Sequence, residues 1–226
     1  MDRAYIAPSF LGIAPEKEDW FFEQITKYGA ALAHADVVDA DFVKRQVVNT
    51  DMAEFCRLVL KVKSLPLDIH LMVDDPGPWL DLIDDQIMSQ VKAQPFISLH
   101  REARCFKTAW FHKIKEINAR PGIAIKPSTP LAEIKEYLPL VELVIVMTVN
   151  PGLSGQKMIK PCLDKVKVLY GMRKQYRFLI EVDGGVNEQT AQEAVRSGAS
   201  ILVSGGFVQD DPRKIEVLSS FKRASI

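Results

Sequence analysis

The sequence lacks features that would favour a nucleic-acid-binding or membrane protein. Its 29 Lys and Arg residues balance 29 Asp and Glu residues among 226 residues, so the formal net charge is zero. Such a chain has no overall field that draws it to nucleic acid or to an anionic membrane, and we expect neither partner. Any anionic ligand must therefore be bound by local contacts. No stretch approaches the roughly 20 apolar residues of a membrane-spanning helix.

Cysteine is also scarce. Cys56, Cys105 and Cys162 are odd in number and far apart in the chain, which predicts reduced thiols of a cytosolic protein rather than a disulfide framework. Residues 1–11 contain no basic segment followed by a long apolar run, so no secretory signal is expected. These observations together predict a cytoplasmic protein.

Short apolar runs alternate with amphipathic segments, and no low-complexity or linker-like stretch divides the chain. The runs that we predict as strands are residues 5–10, 30–38, 67–72, 96–99, 122–125, 143–147, 178–182 and 201–203. Segments with helical spacing lie between them, such as residues 20–28, 52–61, 106–118, 131–137, 162–175 and 188–197. Nearly continuous apolar strands separated by helices indicate a parallel sheet covered on both faces. Eight such units favour an α/β fold, a single-domain (β/α)8 TIM barrel over residues 1–226, although an open doubly wound sheet would share much of this pattern.

Polar residues and glycines stand where seven of the eight predicted strands end. They are Ser9, His34 with Asp36, His70, His100, residues 150–155, Asp183 with Gly184 and Gly185, and Gly205 with Gly206. The active site of a barrel lies at the carboxyl ends of its strands. In a closed barrel these ends meet at one mouth, whereas an open sheet would spread them along an edge. The pattern therefore favours a closed barrel with one shared site.

His34 and Asp36 are two residues apart on one predicted strand, so their side chains would lie side by side in the barrel mouth. A buried carboxylate needs a partner because an isolated charge is very costly, and this strand offers none. A divalent cation would satisfy both groups if His70 and Asp183 arrived from other strands. Two imidazoles and two carboxylates suit Zn²⁺, Fe²⁺, Mn²⁺ or Co²⁺, and the residues do not choose among them. Each histidine taken singly is more often a structural residue than a ligand.

Three glycine clusters follow the sixth, seventh and eighth predicted strands. They lie at Gly152 and Gly155, at Gly184 and Gly185, and at Gly205 and Gly206. Barrel enzymes commonly bind phosphate with the loops after their last strands, and glycine lets backbone N–H groups approach phosphate oxygens closely. We therefore predict a site for a small phosphorylated ligand, although a turn is the simpler explanation of any one pair.

Five segments resemble the ribulose-phosphate 3-epimerase family in residue type, order and spacing. They are IAPS at residues 6–9, HADVVD at 34–39, LDIHLMV at 67–73, MTVNPG at 147–152 with GQK at 155–157, and IEVDGGVN at 180–187. The resemblance implies a (β/α)8 barrel that interconverts D-ribulose 5-phosphate and D-xylulose 5-phosphate. It also implies a homo-oligomer.

The resemblance assigns roles to individual residues. His34, Asp36, His70 and Asp183 would bind the metal, and Asp36 and Asp183 would also be the two catalytic acid/base groups. Ser9 and His70 would contact the substrate. The other residues implied in binding the sugar phosphate are Gly152, Leu153, Ser154, Gly155, Asp183, Gly184, Gly185, Gly205 and Gly206.

These roles predict how the carbon next to the ketone is inverted. An aspartate with a reference pKa of about 4 is a weak base for a carbon acid, so the metal would stabilise the negative charge of the enediolate. Inversion then needs one acid/base group on each face of this planar intermediate. Asp36 would serve one face and Asp183 the other. Met72 and Met147 would either line the mouth and keep the intermediate dry or fill the core.

The loop after the second predicted strand departs from the family. Residues 38–45 read VDADFVKR, where the family usually has Met followed by Asp-Gly-His-Phe-Val-Pro-Asn. Asp41 adds a negative charge near a site for an anion, which the two basic residues at the end of this segment would offset. Ser154 replaces a usual glycine, and Gly206 stands where serine is common. These departures leave open a 3-epimerase of another ketose phosphate, such as a hexulose 6-phosphate, and a non-catalytic sugar-phosphate-binding homologue.

Overall fold

Eight parallel strands form the centre of the protein, as the sequence predicts. The computed structural model describes residues 3–10, 12–43, 49–62, 64–152 and 155–222. The strands are β1 (Tyr5–Pro8), β2 (Ala33–Val38), β3 (Leu67–Met72), β4 (Phe96–His100), β5 (Arg120–Ile125), β6 (Leu143–Met147), β7 (Leu179–Asp183) and β8 (Ile201–Ser204).

The sheet closes on itself. Its order is β1-β8-β7-β6-β5-β4-β3-β2, so the two ends of the sheet are β1 and β2. Hydrogen bonds join these ends: the Ala31 N–H donates to the Ile6 carbonyl at 2.9 Å, and the Phe10 N–H donates to the His34 carbonyl at 3.3 Å. Ser9 also pairs with His34 in the parallel sense. The fold is therefore a nearly closed (β/α)8 barrel, which excludes the open doubly wound sheet.

Helices connect the strands around the outside of the barrel. They are α1 (Glu18–Lys27), α2 (Ala40–Val43), α3 (Met52–Val59), α4 (Gly77–Gln86), α5 (Ala109–Glu116), α6 (Cys162–Met172), α7 (Glu188–Ser197), α8 (Gly206–Asp210) and α9 (Lys214–Ser219). Three short 3₁₀ helices occupy Pro15–Lys17, Leu131–Glu133 and Lys135–Tyr137. Among the helices of the described ranges, none is both long enough and apolar enough to cross a membrane.

One predicted helical segment takes another form, and four α-helices of the described ranges lie outside the predicted segments. Residues 131–137 form two 3₁₀ helices rather than one α-helix, because so short a connection is satisfied by tighter i→i+3 bonds such as that from the Ile134 N–H to the Leu131 carbonyl at 3.1 Å. The short helices α2, α8 and α9 lie outside the predicted helical segments, and so does the longer helix α4. Its Gly-Pro beginning suggests a turn, but proline is favoured in the first helical turn, where its missing N–H is not needed.

The alternation of side chains along the strands separates an apolar layer from a polar interior. In β3, Ile69 and Leu71 belong to the large apolar cluster between strands and helices. Asp68, His70 and Met72, which alternate with them along the strand, face the inside of the barrel. The buried or half-buried polar side chains on the inner faces of β2, β3, β4 and β7 are His34, Asp36, Asp68, His70, Ser98, His100, Glu181 and Asp183.

Candidate metal centre and active site

The four side chains predicted as metal ligands meet at the carboxyl ends of the strands. One ligand atom from each of His34, Asp36, His70 and Asp183 lies within 4.8 Å of the corresponding atoms of the others. Nε2 of His34 is 3.1 Å from Oδ1 of Asp36. Nδ1 of His70 is 3.4 Å from an oxygen of Asp36 and 3.4 Å from an oxygen of Asp183.

Strand register explains why side chains that are distant in sequence converge. His34 and Asp36 share one face of β2, and the pairing of β2 with β3 places Asp36 beside His70. Asp183 arrives as the last residue of β7. The strand ends of a parallel barrel meet at one mouth, so these three strands bring four ligating groups to one point.

The cluster strongly perturbs its own ionisation. Burial alone would lower the pKa of His34 and of His70, but the neighbouring carboxylates outweigh burial and raise both pKa values. Burial alone would raise the pKa of Asp36, but His34 and His70 hold that pKa well below its usual range. The carboxylates therefore favour positive charge at this point, and a divalent cation would supply it.

The donor set fits a divalent cation. Nδ1 of His70 is buried and makes no hydrogen bond within the described residues, although it faces two carboxylate oxygens. A cation among these atoms would accept its lone pair and neutralise the carboxylates. Imidazole nitrogen and carboxylate oxygen are ligands of Zn²⁺, Fe²⁺, Mn²⁺ and Co²⁺.

A buried carboxylate orients His34 from behind. Oδ2 of Asp68 is 2.7 Å from Nδ1 of His34, and because an ionised carboxylate only accepts, Nδ1 donates. Nε2 is therefore the nitrogen on the side of Asp36 that a cation could bind. Metal-binding histidines are commonly held by such a second hydrogen bond. Glu181 lies nearby, with Oε1 3.6 Å from the same nitrogen. Its two oxygens have no hydrogen-bond partner in the described ranges, and burial, reinforced by the charge of Asp68, raises the pKa of Glu181 well above its ordinary value.

His70 is the start of a second chain of hydrogen-bonded groups, which runs through the buried His100 to the half-buried Glu102. Its Nε2 is 2.9 Å from Nε2 of His100, and Nδ1 of His100 is 2.8 Å from Oε2 of Glu102. Burial lowers the pKa of His100 to about 4. Burial opposes ionisation of Glu102, but hydrogen bonds from His100 and other donors outweigh it and lower the pKa of Glu102 to about 2.

Ser9 holds Asp36 from the side away from the histidines. Its hydroxyl donates to Oδ2 of Asp36 at 2.8 Å, while Oδ1 of the same carboxylate faces His34 and His70. Asp36 therefore has one oxygen in the ligand cluster and one oxygen fixed by a hydroxyl donor.

A cavity of about 650 Å³ opens above the cluster. Among the residues predicted to form the site, those that line it are Ser9, Asp36, Gly152, Gly155, Asp183, Gly184, Gly185, Gly205 and Gly206. Met72 and Met147 line it as well. His34 and His70 are fully buried beneath it. Leu153 and Ser154 lie outside the described residues.

The glycine after β7 permits a close approach between loops. Gly185 has a φ of 65°, and a Cβ atom there would lie 2.3 Å from the backbone nitrogen of Met158. A side chain at this position would push the loop after β6 away from the loop after β7. The glycine thus shapes the cavity wall whether or not its N–H contacts a ligand.

The described part of the segment after β2 whose sequence departs from the family forms the short helix α2. Asp41 is exposed and is not among the described residues that line the cavity. Phe42 is buried instead, with its ring centroid 4.8 Å from that of His100 and 3.6 Å from Nζ of Lys126. The basic residues Lys44 and Arg45, which would offset Asp41, lie outside the described residues.

Asp68, Glu102 and Glu181 are not among the site residues predicted from sequence. For two of them the signal is present, because Asp68 precedes His70 by two residues and Glu181 precedes Asp183 by two. The same i, i+2 rule that pairs His34 with Asp36 places these acids on the inner face. Glu102 lies beyond the end of β4, where no strand periodicity applies, so no comparable signal identifies it.

Comparisons with known proteins agree with this geometry. A sequence model of the ribulose-phosphate 3-epimerase family matches residues 5–209. The Treponema pallidum protein named ribulose-phosphate 3-epimerase is 38% identical over 208 residues, which cover 91% of this chain and 91% of that protein. The Bacillus subtilis protein of the same name is 35% identical over 215 residues, covering 92% of this chain and 94% of that protein.

Solved structures resemble the chain in fold alone. A Mycobacterium tuberculosis tryptophan synthase structure superposes with a TM-score of 0.67 at 12% identity, covering 99% of this chain and 94% of that chain. Identity at this level supports the barrel and carries no information about the reaction. The family model and the curated relatives match in sequence, over most of the chain and including all four residues of the cluster. This chain belongs to the ribulose-phosphate 3-epimerase family.

Proposed function

We propose that this chain, as a single catalytic domain over residues 1–226, interconverts D-ribulose 5-phosphate and D-xylulose 5-phosphate by inverting carbon 3. Family membership makes it an isomerase of the epimerase type that acts on a pentose phosphate. The observation that carries the finer proposal is the convergence of two imidazoles and two carboxylates at the floor of one cavity. A pure binding protein has no need of two carboxylates placed around one reacting centre.

The metal ligands in this proposal are His34, Asp36, His70 and Asp183, and the ion is Zn²⁺, Fe²⁺, Mn²⁺ or Co²⁺. When bound, such a cation polarises the substrate carbonyl and stabilises the negative charge that develops on its oxygen. Hydrogen bonds on the side away from the ligand cluster fix the orientation of each imidazole: Asp68 contacts His34, and His100 contacts His70. Full burial of His70 favours a ligand role over direct contact with the substrate.

Asp36 and Asp183 are proposed as the two acid/base groups. Both line the cavity, and they belong to different strands, β2 and β7. One carboxylate removes the proton from carbon 3, and the other, protonated, returns a proton to the opposite face. The reverse reaction exchanges these roles. The hydroxyl of Ser9 keeps the Asp36 carboxylate from rotating while it exchanges a proton.

The sugar phosphate is proposed to bind along the glycine loops after β6, β7 and β8. This part of the proposal rests on the cavity lining, which includes Gly152, Gly155, Gly184, Gly185, Gly205 and Gly206, and extends to Leu153 and Ser154 by resemblance. The cavity wall also includes Lys157, a cation beside these loops. Lys160 lines the cavity as well. Backbone N–H groups and these nearby cations would bind a phosphate without a basic protein surface.

A hexulose phosphate is the competing substrate, because the loop after β2 departs from the family. The position of Asp41 outside the described cavity wall favours the pentulose phosphate. The homo-oligomer implied by the family resemblance is also part of the proposal, and light scattering of the purified protein tests it.

Nuclear magnetic resonance of substrate in D₂O tests the proposal. Protein loaded separately with each of the four cations is mixed with D-ribulose 5-phosphate, and with a hexulose 6-phosphate in parallel. We expect deuterium at carbon 3 together with the appearance of D-xylulose 5-phosphate. Exchange only in the hexulose phosphate would change the substrate, and a lack of exchange in every sample would refute the enzyme activity.

A further inference from the structure

A chain of hydrogen bonds runs from His70 through His100 to the half-buried Glu102, and its geometry restricts where the protons of the two imidazoles lie. Nε2 of His70 and Nε2 of His100 are 2.9 Å apart, so one proton lies between them. Which nitrogen carries it is decided at the far end of the chain. The carboxylate of Glu102 is the group there, and it is outside the ligand cluster.

Donors on both sides fix Glu102 as an acceptor. Its Oε1 accepts the Lys126 backbone N–H at 2.7 Å and also accepts the Thr129 hydroxyl. Its Oε2 lies 2.8 Å from Nδ1 of His100. An ionised carboxylate only accepts hydrogen bonds, so Nδ1 of His100 must donate.

The consequence passes through both imidazoles. A neutral imidazole that donates from Nδ1 accepts at Nε2, so His100 accepts from His70. His70 therefore carries a proton on Nε2, which leaves Nδ1 as the nitrogen whose lone pair a cation can take. That nitrogen is the atom that faces Asp36 and Asp183.

We propose that Glu102 and His100 are positioning residues that set the tautomer of His70, so that its Nδ1 can bind a divalent cation together with Asp36 and Asp183. The inference rests on the metal centre of the proposed function. It assigns a role to the buried His100 and the half-buried Glu102, which the proposed reaction does not otherwise use. Neither residue touches the substrate, and both act through His70.

Glu102→Gln exchanges one carboxylate oxygen for an amide NH₂ group. This exchange should reverse the direction of the hydrogen bonds between residue 102, His100 and His70. The backbone N–H of Lys126 must donate, so the carbonyl oxygen of the new amide stays on that side. The NH₂ group then faces Nδ1 of His100 and donates to it. His100 would donate from Nε2 to His70, and the proton of His70 would move to Nδ1, where it blocks the metal.

Zinc affinity, measured by competition with a chromophoric chelator, tests this inference. We expect Glu102→Gln to weaken zinc binding roughly 10- to 100-fold, the usual effect of losing an outer partner of a metal ligand. The matched control is Glu142→Gln. Glu142 lies directly before β6, and its carboxylate pairs with Arg120 of β5. The control variant should change zinc affinity less than about twofold.

The hydrogen-bonded groups Glu102, His100 and His70 are called the relay below. A double-variant cycle separates an effect that passes through the relay from a general loss of protein stability. His100→Gln interrupts the chain between Glu102 and His70. In that background Glu102→Gln should add less than about a twofold loss, because it has no route to the metal. A full additional loss in the double variant would overturn the inference.

The wild-type protein alone provides a second test that does not depend on how the variants fold. In the zinc-loaded form, ¹⁵N spectra of the histidines should show the proton of His100 on Nδ1, and a proton on its Nε2 would overturn the relay. If the wild type binds zinc and Glu102→Gln binds it equally well, the relay fails and the proposed function stands. If the wild type binds none of the four cations, the metal centre and the relay both fail.

Discussion

Replacing each proposed acid/base group with its amide separates a two-base mechanism from a one-base mechanism. Asp183→Asn keeps the shape of a side chain that lines the cavity and removes its ability to accept a proton. Asp36→Asn does the same on the β2 side. Each variant should lose inversion, because one face of the planar intermediate no longer has a proton donor or acceptor.

The size of the loss follows from what Asp183 contacts. A positioned acid/base group contributes roughly 10²- to 10⁴-fold to a rate, which corresponds to about 3–5 kcal/mol of barrier. Asp183 also lies 3.4 Å from Nδ1 of His70 in the ligand cluster, so its loss weakens the electrostatic support of the metal as well. We expect interconversion to fall at least roughly 10³-fold in each variant.

The two variants should differ in which epimer still exchanges its proton. With one carboxylate left, the epimer whose hydrogen faces it can lose that hydrogen and regain deuterium from the same side. Proton spectra of each pure pentulose phosphate in D₂O should therefore show exchange without inversion in opposite epimers for Asp36→Asn and Asp183→Asn. Metal content is measured in each sample, and Asp164→Asn, at an exposed position of α6, controls for loss of charge.

Two results would refute this reasoning. Near-normal interconversion by Asp183→Asn would remove that carboxylate from proton transfer. Exchange of the same epimer in both metal-loaded variants would indicate that a single group serves both faces.

Three further predictions address the cavity wall, the metal and the acid stability of the fold. Gly185→Ala should destabilise the protein by at least about 2 kcal/mol in thermal unfolding, because its φ is 65° and the new Cβ would meet Met158; Gly206→Ala, with open space around its Cβ, is the stability control and should unfold near the wild-type temperature. Dialysis against a strong chelator should abolish epimerisation, and adding back one of the four cations should restore it; full activity in metal-free protein would contradict the metal centre. Glu18→Gln should cost roughly 1–3 kcal/mol in denaturant unfolding at pH 7, since the Arg57 guanidinium donates twice to that carboxylate at 2.7 Å. The Arg57 hydrogen bonds lower the pKa of Glu18 from 4.5 to about 2, so this contribution is present above about pH 4.5 and disappears as the pH falls towards 2. An equally steep acid limb in the variant would exclude Glu18 as its source.

Strand periodicity makes much of the fold and of the candidate site readable from sequence. The eight apolar runs predict the eight strands, and the spacing of His34 and Asp36 predicts that both face inwards. Such patterns depend only on residue spacing within one segment, so they can be recognised without knowing which segments pack together. Helix α4 is missed because the Gly-Pro pair at its beginning is compatible with both a turn and the first turn of a helix. Which of the two forms depends on how Leu80 and Ile83 pack into the apolar cluster.

The relay illustrates what a sequence pattern does not contain. His100 is recognisable as a polar strand end, but its link to His70 depends on how β3 and β4 pair. Glu102 follows in a loop, and its role depends on the Lys126 N–H at the end of the next strand, β5. Three separate segments must meet before any of these groups has a defined protonation state.

The polar interior of the barrel has a consequence for how the molecule tolerates change. Outward-facing residues such as Ile69, Leu71 and Val182 build the apolar layer under the helices, while their immediate chain neighbours contribute the reactive groups. Folding and chemistry are thus carried by opposite sides of the same strands. Substitutions on the inner side can remove or redirect a reaction while the outer layer continues to specify the barrel. A tryptophan synthase structure can therefore share this scaffold at only 12% identity.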